Sequence, residues 1–203
     1  MILAFDIYGT LFEIKIPGLK EEVLKEWRQL QIEFTWRITI MEKWLSFDEI
    51  TAIALKYLSS KYGFKFKEEL LEEWTKLKPY DDVEYLKILS NKYKIYALTN
   101  GTLISVRKLL KNAGILQYFS GIFTAEEVKF YKPSPRIYQA FMNRFEGEKA
   151  YLVSSNPFDI SGAKNAGMKT IYLNRHNLPN DPLSDKPDFE IKSLDEIEKL
   201  NLN

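Results

Sequence analysis

The chain has 203 residues, of which 45% are hydrophobic and 28% charged, a balance typical of a globular protein of one domain, with or without an insertion. Its 29 basic and 28 acidic residues leave a net charge of +1 without long runs of either sign, so we expect no nucleic-acid partner and no membrane contact. The absence of cysteine excludes disulfides, thiolate metal sites and a cysteine nucleophile in this chain. With no basic leader or long apolar stretch in view, we expect a cytoplasmic location.

The first stretch, Ile-Leu-Ala-Phe-Asp-Ile-Tyr-Gly-Thr-Leu over residues 2–11, predicts a buried central strand. The strand ends at Asp6, and Gly9 and Thr10 form a turn after it. Ligands of open α/β sheets bind beyond the carboxyl ends of the strands, which makes Asp6 a candidate functional residue. The plainer alternative is that Asp6 only caps the turn.

Residues from about 14 to 79 contain helical patterns and no convincing strand. Apolar side chains recur at helical spacing over residues 19–36. A Ser-x-x-Glu capping box predicts that a second helix begins at Ser46 and runs to about Tyr62. A third helical stretch covers Lys67–Lys78. We therefore predict a helical cap, inserted after the first strand.

From residue 82 onwards helical and strand patterns alternate, which predicts a parallel sheet covered by helices on both faces. The predicted strands are 94–99, 121–124, 149–154, 169–173 and 189–191, and the predicted helices are about 82–91, 103–113, 135–145 and 157–166. Ser193 and Glu196 predict a second capping box, at the start of a terminal helix. The predicted fold class is α/β, with a Rossmann-like parallel-sheet core formed by residues 1–13 and 80–203 and a helical cap over 14–79.

Polar residues follow several of the predicted strands, and parallel strands bring such residues to one edge of the sheet. They are Asp6, Thr99, Asn100, Ser154, Ser155, Asn156 and Asp159, with Lys132 in the loop after residue 124. An ionised aspartate beside a lysine ammonium can act as a nucleophile. This edge is therefore the predicted active site.

Four motifs, in order, resemble those of the haloacid dehalogenase superfamily, and the match covers the whole chain. They are Asp6-Ile7-Tyr8-Gly9-Thr10, Thr99-Asn100-Gly101, Lys132-Pro133 and Ser154-Ser155-Asn156-Pro157-Phe158-Asp159. Phosphatases of the superfamily carry a second aspartate where Tyr8 stands and a Gly-Asp pair in place of Ser154-Ser155. Both departures are similar to the L-2-haloacid dehalogenase branch. The segments Trp27-Arg28-Gln29, Glu33, Thr35-Trp36 and Phe47 resemble the cap of that branch.

The resemblance implies hydrolysis of small L-2-haloalkanoic acids to D-2-hydroxy acids, with neither metal nor cofactor. Asp6 would displace the halide with inversion at C2, and water would then hydrolyse the aspartyl ester. The resemblance makes Arg28, Asn100 and the edge of Phe158 a cradle for the halide. It also implies that Thr99 and Lys132 hold the substrate carboxylate.

The remaining roles also follow from the resemblance. Asp159, oriented by Ser155 and Asn156, would position or activate the water, and Thr10 would hydrogen-bond Asp6. The predicted substrate contacts and pocket walls are Tyr8, Gln29, Phe47, Tyr138, Ser154 and Phe158.

Several alternatives stay open. The chain is also compatible with a Mg²⁺-dependent phosphatase of small phosphomonoesters or with a non-catalytic binding module on the same fold. The plainer interpretation of Tyr138 and Phe47 is that they pack in the core. His176 and Arg175 lack a motif partner, so we expect them at the surface. The aromatic cap suits a homodimer, and the expected partners are otherwise the 2-haloacid and halide.

Overall fold

The computed structural model describes residues 1–179, 181–183 and 186–202, in which a six-stranded sheet forms the centre. Its strands are β1 (Ile2–Phe5), β2 (Lys94–Thr99), β3 (Gly121–Thr124), β4 (Ala150–Ser154), β5 (Lys169–Leu173) and β6 (Phe189–Ile191). The strand order is β3-β2-β1-β4-β5-β6, and every neighbouring pair is parallel. The predicted parallel α/β fold is thus confirmed.

The central position of β1 determines where a ligand can bind. All four residues of β1 are completely buried, with β2 on one side and β4 on the other. After β1 the chain builds one half of the sheet and then crosses over to build the other. The strand order therefore reverses direction between β1 and β4, the crevice at which open α/β sheets bind their ligands.

Much of the connection between β1 and β2 is helical, and we call its residues 14–79 the helical insertion. Its helices are α1 (Glu21–Ile40), α2 (Phe47–Tyr62) and α3 (Glu69–Glu72). The predicted capping box forms, since Ser46 Oγ accepts from the backbone N–H of Glu49 while the Glu49 carboxylate accepts from the backbone N–H of Ser46. Helix α2 ends at Gly63 with a φ of 69°, which glycine adopts without strain. The Trp27 indole joins α1 to α2 by donating to the Thr51 carbonyl.

The chain enters and leaves the helical insertion along two adjacent segments. The backbone N–H of Glu13 donates to the Lys78 carbonyl at 2.9 Å, and that of Tyr80 donates to the Leu11 carbonyl at 3.0 Å. These bonds tie both ends of the insertion to the loop that follows β1, at the carboxyl end of that strand.

The remaining helices cover the sheet. They are α4 (Leu86–Leu89), α5 (Leu103–Asn112), α6 (Pro135–Arg144) and α7 (Pro157–Asn165). Proline opens both α6 and α7, where its missing N–H costs no helical hydrogen bond. Within the described ranges, no helix is long and apolar enough to cross a membrane.

Three helical predictions need correction. The stretch Lys67–Lys78 forms only α3 and a 3-10 turn over Glu73–Thr75, because the tighter turn buries Trp74 and Thr75 together. The region predicted as a helix over 82–91 begins with a 3-10 turn before α4.

The second capping box is also wrong, since Ser193 makes no side-chain cap bond. The segment after it, Leu194–Lys199, is a 3-10 helix. The backbone N–H of Leu194 donates instead to the carboxylate of Asp82, 112 residues away in the chain. A long-range acceptor has thus replaced the local cap.

Candidate active site

Asp6 lies at the carboxyl end of β1 and is 6% exposed. Its Oδ2 accepts a hydrogen bond from Thr10 Oγ1 and another from Asn156 Nδ2, each at 2.7 Å. Its Oδ1 accepts one from Lys132 Nζ at 3.2 Å. The two oxygens therefore differ, since Oδ2 is held by two short bonds and Oδ1 by one long bond.

Lys132 places its ammonium between two carboxylates. Its Nζ lies 2.8 Å from Asp159 Oδ2 and 3.2 Å from Asp6 Oδ1, and the side chain is 1% exposed. Burial alone would lower the pKa of Lys132, but the charges of Asp159 and Asp6 outweigh it, so the pKa is raised and the ammonium stays charged.

Asp159 lies in the first turn of α7, and its side-chain partners differ from those predicted. The Tyr138 hydroxyl donates to its Oδ1 at 2.6 Å, and Lys132 donates to its Oδ2. Burial raises the pKa of Asp159, while Lys132 and Tyr138 act in the opposite direction. Tyr138 is completely buried in this cluster, so its contact is with the site rather than only with the core.

The prediction that Ser155 and Asn156 orient Asp159 holds only for the backbone, where the N–H of Asp159 donates to the Asn156 carbonyl at 3.0 Å. Their side chains bind elsewhere. Asn156 donates to Asp6 and to the Tyr8 carbonyl, and the Ser155 hydroxyl donates to the Leu173 carbonyl. Both side chains lean toward β1 or β5 because they leave the end of β4, which lies between those strands.

Arg175 is a residue whose predicted position is wrong. Its side chain is 13% exposed, and its guanidinium donates to the Thr10 carbonyl at 2.7 Å. No local motif marks it, because its partners belong to distant segments of the chain. His176, by contrast, is exposed as expected.

The helical insertion contributes an aromatic wall and one cation. Tyr8 stacks on Phe47 with ring centroids 5.7 Å apart, and it meets Trp74 edge to face. The Arg28 guanidinium lies 5.9 Å from the centroid of the Tyr8 ring. Burial lowers the pKa of Arg28, and the charge of Asp6 opposes that change. The structure thus brings Arg28 and Phe47 to the site, as predicted.

The glutamine beside this cation is not the predicted one. Gln29 is exposed, and within the described part of the chain no hydrogen bond connects its side chain to the site. Gln31 is completely buried instead, accepts from Arg28 and donates to Thr51 Oγ1 at 2.8 Å. Its position four residues after the buried Trp27 was the signal that could have identified it, because such residues share one helix face.

The other predicted contacts line the same edge of the sheet. Thr99 and Ser154 are completely buried, and each accepts a backbone N–H two residues further on. The side-chain oxygen of Asn100 accepts the backbone N–H of Lys132 at 2.9 Å, which leaves its amide nitrogen as a donor. Phe158 packs edge to face on Trp36 of α1, beside a groove of about 530 Å³ between the insertion and the core.

The donor set around Asp6 is poor for a divalent cation. Such ions prefer several oxygen ligands including carboxylates, and both carboxylates present, Asp6 and Asp159, already share the Lys132 ammonium. Within the described ranges, no group of three or more His, Asp or Glu side chains is arranged to hold a metal ion. An ammonium thus provides the positive charge in this cluster.

Comparison with known proteins identifies the family. The model of the haloacid dehalogenase-like hydrolases matches residues 1–167. The chain belongs to this family. It is 32% identical to (S)-2-haloacid dehalogenase 2 of Pseudomonas sp. (strain CBS-3), over 98% of this chain and 94% of that protein. It is 31% identical to haloacetate dehalogenase H-2 of Moraxella sp. (strain B), over 98% and 96% respectively.

A solved structure supports the same fold. The L-2-haloacid dehalogenase of Xanthobacter autotrophicus superposes with a TM-score of 0.90 at 24% identity, over 98% of this chain and 97% of that one. From Tyr8 and the Ser154-Ser155 pair, the sequence predicted similarity to the L-2-haloacid dehalogenase branch of this family. The comparisons confirm that prediction.

Proposed function

We propose that the chain is an (S)-2-haloacid dehalogenase that converts small L-2-haloalkanoic acids to D-2-hydroxy acids without a metal ion. The observation that carries the proposal is the unequal bonding of Asp6, whose Oδ2 is fixed by Thr10 and Asn156 while Oδ1 has one long bond from Lys132. A carboxylate bound in this way presents one oxygen for attack and keeps its orientation while it reacts.

In the first step, Oδ1 of Asp6 forms a bond to C2 from the side opposite the halogen. The carbon–halogen bond breaks, the halide leaves with the electron pair, and C2 is inverted. Because halide leaves without a proton, Tyr8 can occupy the position at which a phosphatase needs an acid. Burial raises the pKa of the Tyr8 phenol. Arg28, Asn100 and the edge of Phe158 stabilise the developing charge.

In the second step, water attacks the Asp6 carbonyl carbon, the bond from that carbon to Oδ1 breaks, and the 2-hydroxy acid leaves. Negative charge develops on Oδ2, which already receives hydrogen bonds from Thr10 and Asn156 at 2.7 Å. Asp159 accepts one proton of the water and passes it to the departing oxygen, and the other proton leaves the re-formed Asp6 carboxyl group to solvent. The product hydroxyl oxygen therefore comes from Asp6, and the oxygen of water enters the enzyme.

The other predicted residues shape the substrate site. Thr99, Lys132 and the backbone near Tyr8 hold the substrate carboxylate, and Tyr8, Phe47 and Phe158 enclose a small alkyl group. Further predicted contacts are Tyr138 and Ser154. Three points stay predictions: the division into core and cap at 13/14 and 79/80, the homodimer and the cytoplasmic location.

The proposal is tested by halide and hydroxy-acid release from L- and D-2-chloropropionate, with and without a chelator. We expect turnover of the L isomer alone, to D-lactate, at a rate that the chelator leaves unchanged. Asp6→Asn should abolish turnover, whereas Asp81→Asn, at a side chain that is 98% exposed, should not. Chelator-sensitive release of phosphate from a phosphomonoester, with no halide release, would favour the phosphatase. Inactivity on both substrates would favour a binding module.

A further inference from the structure

Arg175 connects four parts of the structure at the back of the active site. Its Nη2 donates to both carboxylate oxygens of Asp82, at 2.7 and 2.9 Å. Its Nη1 donates to the Thr10 carbonyl at 2.7 Å and to Ser155 Oγ at 3.3 Å. The guanidinium also stacks over the Tyr80 ring, 4.2 Å from its centroid. The side chains of Arg175 and Asp82 are each 13% exposed, so water screens this contact little.

These contacts lead to the Asp6 carboxylate in two short steps. Arg175 fixes the backbone of Thr10 and the side chain of Ser155. The backbone N–H of Ser155 donates to Thr10 Oγ1 at 3.0 Å, and that hydroxyl donates to Asp6 Oδ2. Arg175 therefore holds together the two loops, after β1 and after β4, that orient one of the two donors on Oδ2.

The donor on Oδ2 acts differently in the two steps of the proposed reaction. In ester formation the charge of Asp6 is consumed, so a hydrogen bond to Oδ2 stabilises the starting carboxylate at least as well as the transition state. In ester hydrolysis charge develops on Oδ2, so the same bond stabilises the transition state more than the ester. Only interactions that strengthen in the transition state accelerate a step.

We propose that Arg175 is a positioning residue that sets the Thr10 donor for ester hydrolysis, and that it has little influence on ester formation. This inference rests on the proposed function, because it requires the aspartyl ester. A planar guanidinium meets four acceptors and one ring in fixed directions, which a lysine ammonium does not. The identity of the side chain, and not only its charge, therefore matters.

The test uses Arg175→Lys and Asp82→Asn in the full chain, with rapid quenching of single turnovers of L-2-chloropropionate. Mass spectrometry follows the ester as a mass gain of one carboxyethyl group, and its rise and decay give the rates of the two steps. We expect the rate of ester decay to fall about tenfold in both variants. Deleting a hydrogen-bond donor of this kind lowers the rate roughly 100-fold or more, and displacing the donor should lower it less. We expect the rise to change less than about twofold.

Asp188→Asn is the matched control for the loss of an ion-paired aspartate, since the side chains of Asp188 and Asp82 are each 13% exposed. Asp188 binds Lys164 and Lys169 and caps the start of β5, at the sheet edge opposite the site. We expect it to be less stable but to form and hydrolyse the ester at wild-type rates. Equal slowing of both steps in the Arg175 and Asp82 variants, or wild-type decay in them, would overturn the inference. Failure of the wild-type chain to form the ester would instead refute the proposed function.

Discussion

Tyr138→Phe tests the contact that the structure adds to Asp159. The substitution removes only the hydroxyl that donates to Asp159 Oδ1 at 2.6 Å, in a side chain that is completely buried. A hydrogen bond to a charged group contributes about 1.5–3 kcal/mol. Because Asp159 loses its charge as it accepts the proton, most of this energy stabilises the starting carboxylate, and the bond acts on the rate by orienting Asp159. We therefore expect the rate of ester hydrolysis to fall by about 10-fold.

The same substitution changes the pH dependence in a defined direction. The Tyr138 hydrogen bond lowers the pKa of Asp159, so its loss raises that pKa further above its ordinary value. Since the proposed base must be ionised, the acidic limb of the hydrolysis rate should move to higher pH.

The assay is the decay of the aspartyl ester in quenched single turnovers across the pH range, with Tyr57→Phe as a control at a tyrosine that is 53% exposed. A shift of the limb to lower pH, or a variant that hydrolyses the ester as fast as the wild type, would refute the role given to Tyr138. Slowing of ester formation alone would show that Asp159 acts in the other step.

Three further predictions concern stability and packing. Gly162→Ala places a methyl group 2.8 Å from the Tyr138 hydroxyl, so we expect a loss of about 1–3 kcal/mol in urea unfolding and slow ester decay. Lys132→Met leaves two buried carboxylates without their cation and should cost about 3–5 kcal/mol and abolish turnover; a stable, active variant would contradict the ion cluster. The pKa of Asp188 is lowered to about 2, with Lys169 as its main stabilising partner, so Asp188→Asn should cost about 2 kcal/mol at neutral pH. A carboxyl group whose pKa is lowered by folding stabilises the protein at pH values above its pKa in the unfolded chain. The stability difference between the wild type and Asp188→Asn should therefore disappear as the pH falls from about 4 to 2, as measured by unfolding at each pH.

The strands were predictable because each is a short apolar run that ends at polar residues. The predicted limits of β2, β3, β5 and β6 coincide with the observed ones. Parallel pairing then brings the residues after each strand to one edge without further information. This is why Asp6, Asn156 and Asp159 converge as the motifs indicated.

The partners of these residues were less predictable, because they depend on contacts between distant segments. Tyr138 lies 21 residues from Asp159 in the chain, and Arg175 lies 93 residues from Asp82. Neither pair has a local spacing rule. The insertion shows the same limit, since two positions along α1 decide whether a glutamine faces solvent, as Gln29 does, or the buried face, as Gln31 does.

The replacement of two phosphatase acids by Tyr8 and the Ser154-Ser155 pair, beside the Lys132 ammonium, explains how this sheet edge can favour halide displacement over phosphoryl transfer. A phosphoryl group brings several charged oxygens that a divalent cation neutralises, and such a cation needs carboxylates that are free to bind it. Here the ammonium takes one oxygen from Asp6 and one from Asp159, and the two other oxygens accept from Thr10, Asn156 and Tyr138. Because the ammonium contacts Asp6 Oδ1 through one hydrogen bond of 3.2 Å and does not coordinate it as a metal ion would, Oδ1 keeps its nucleophilic character. The carbon electrophile supplies its own leaving anion, and the Arg28 guanidinium, 5.9 Å from the centroid of the Tyr8 ring, is the cation proposed to receive it.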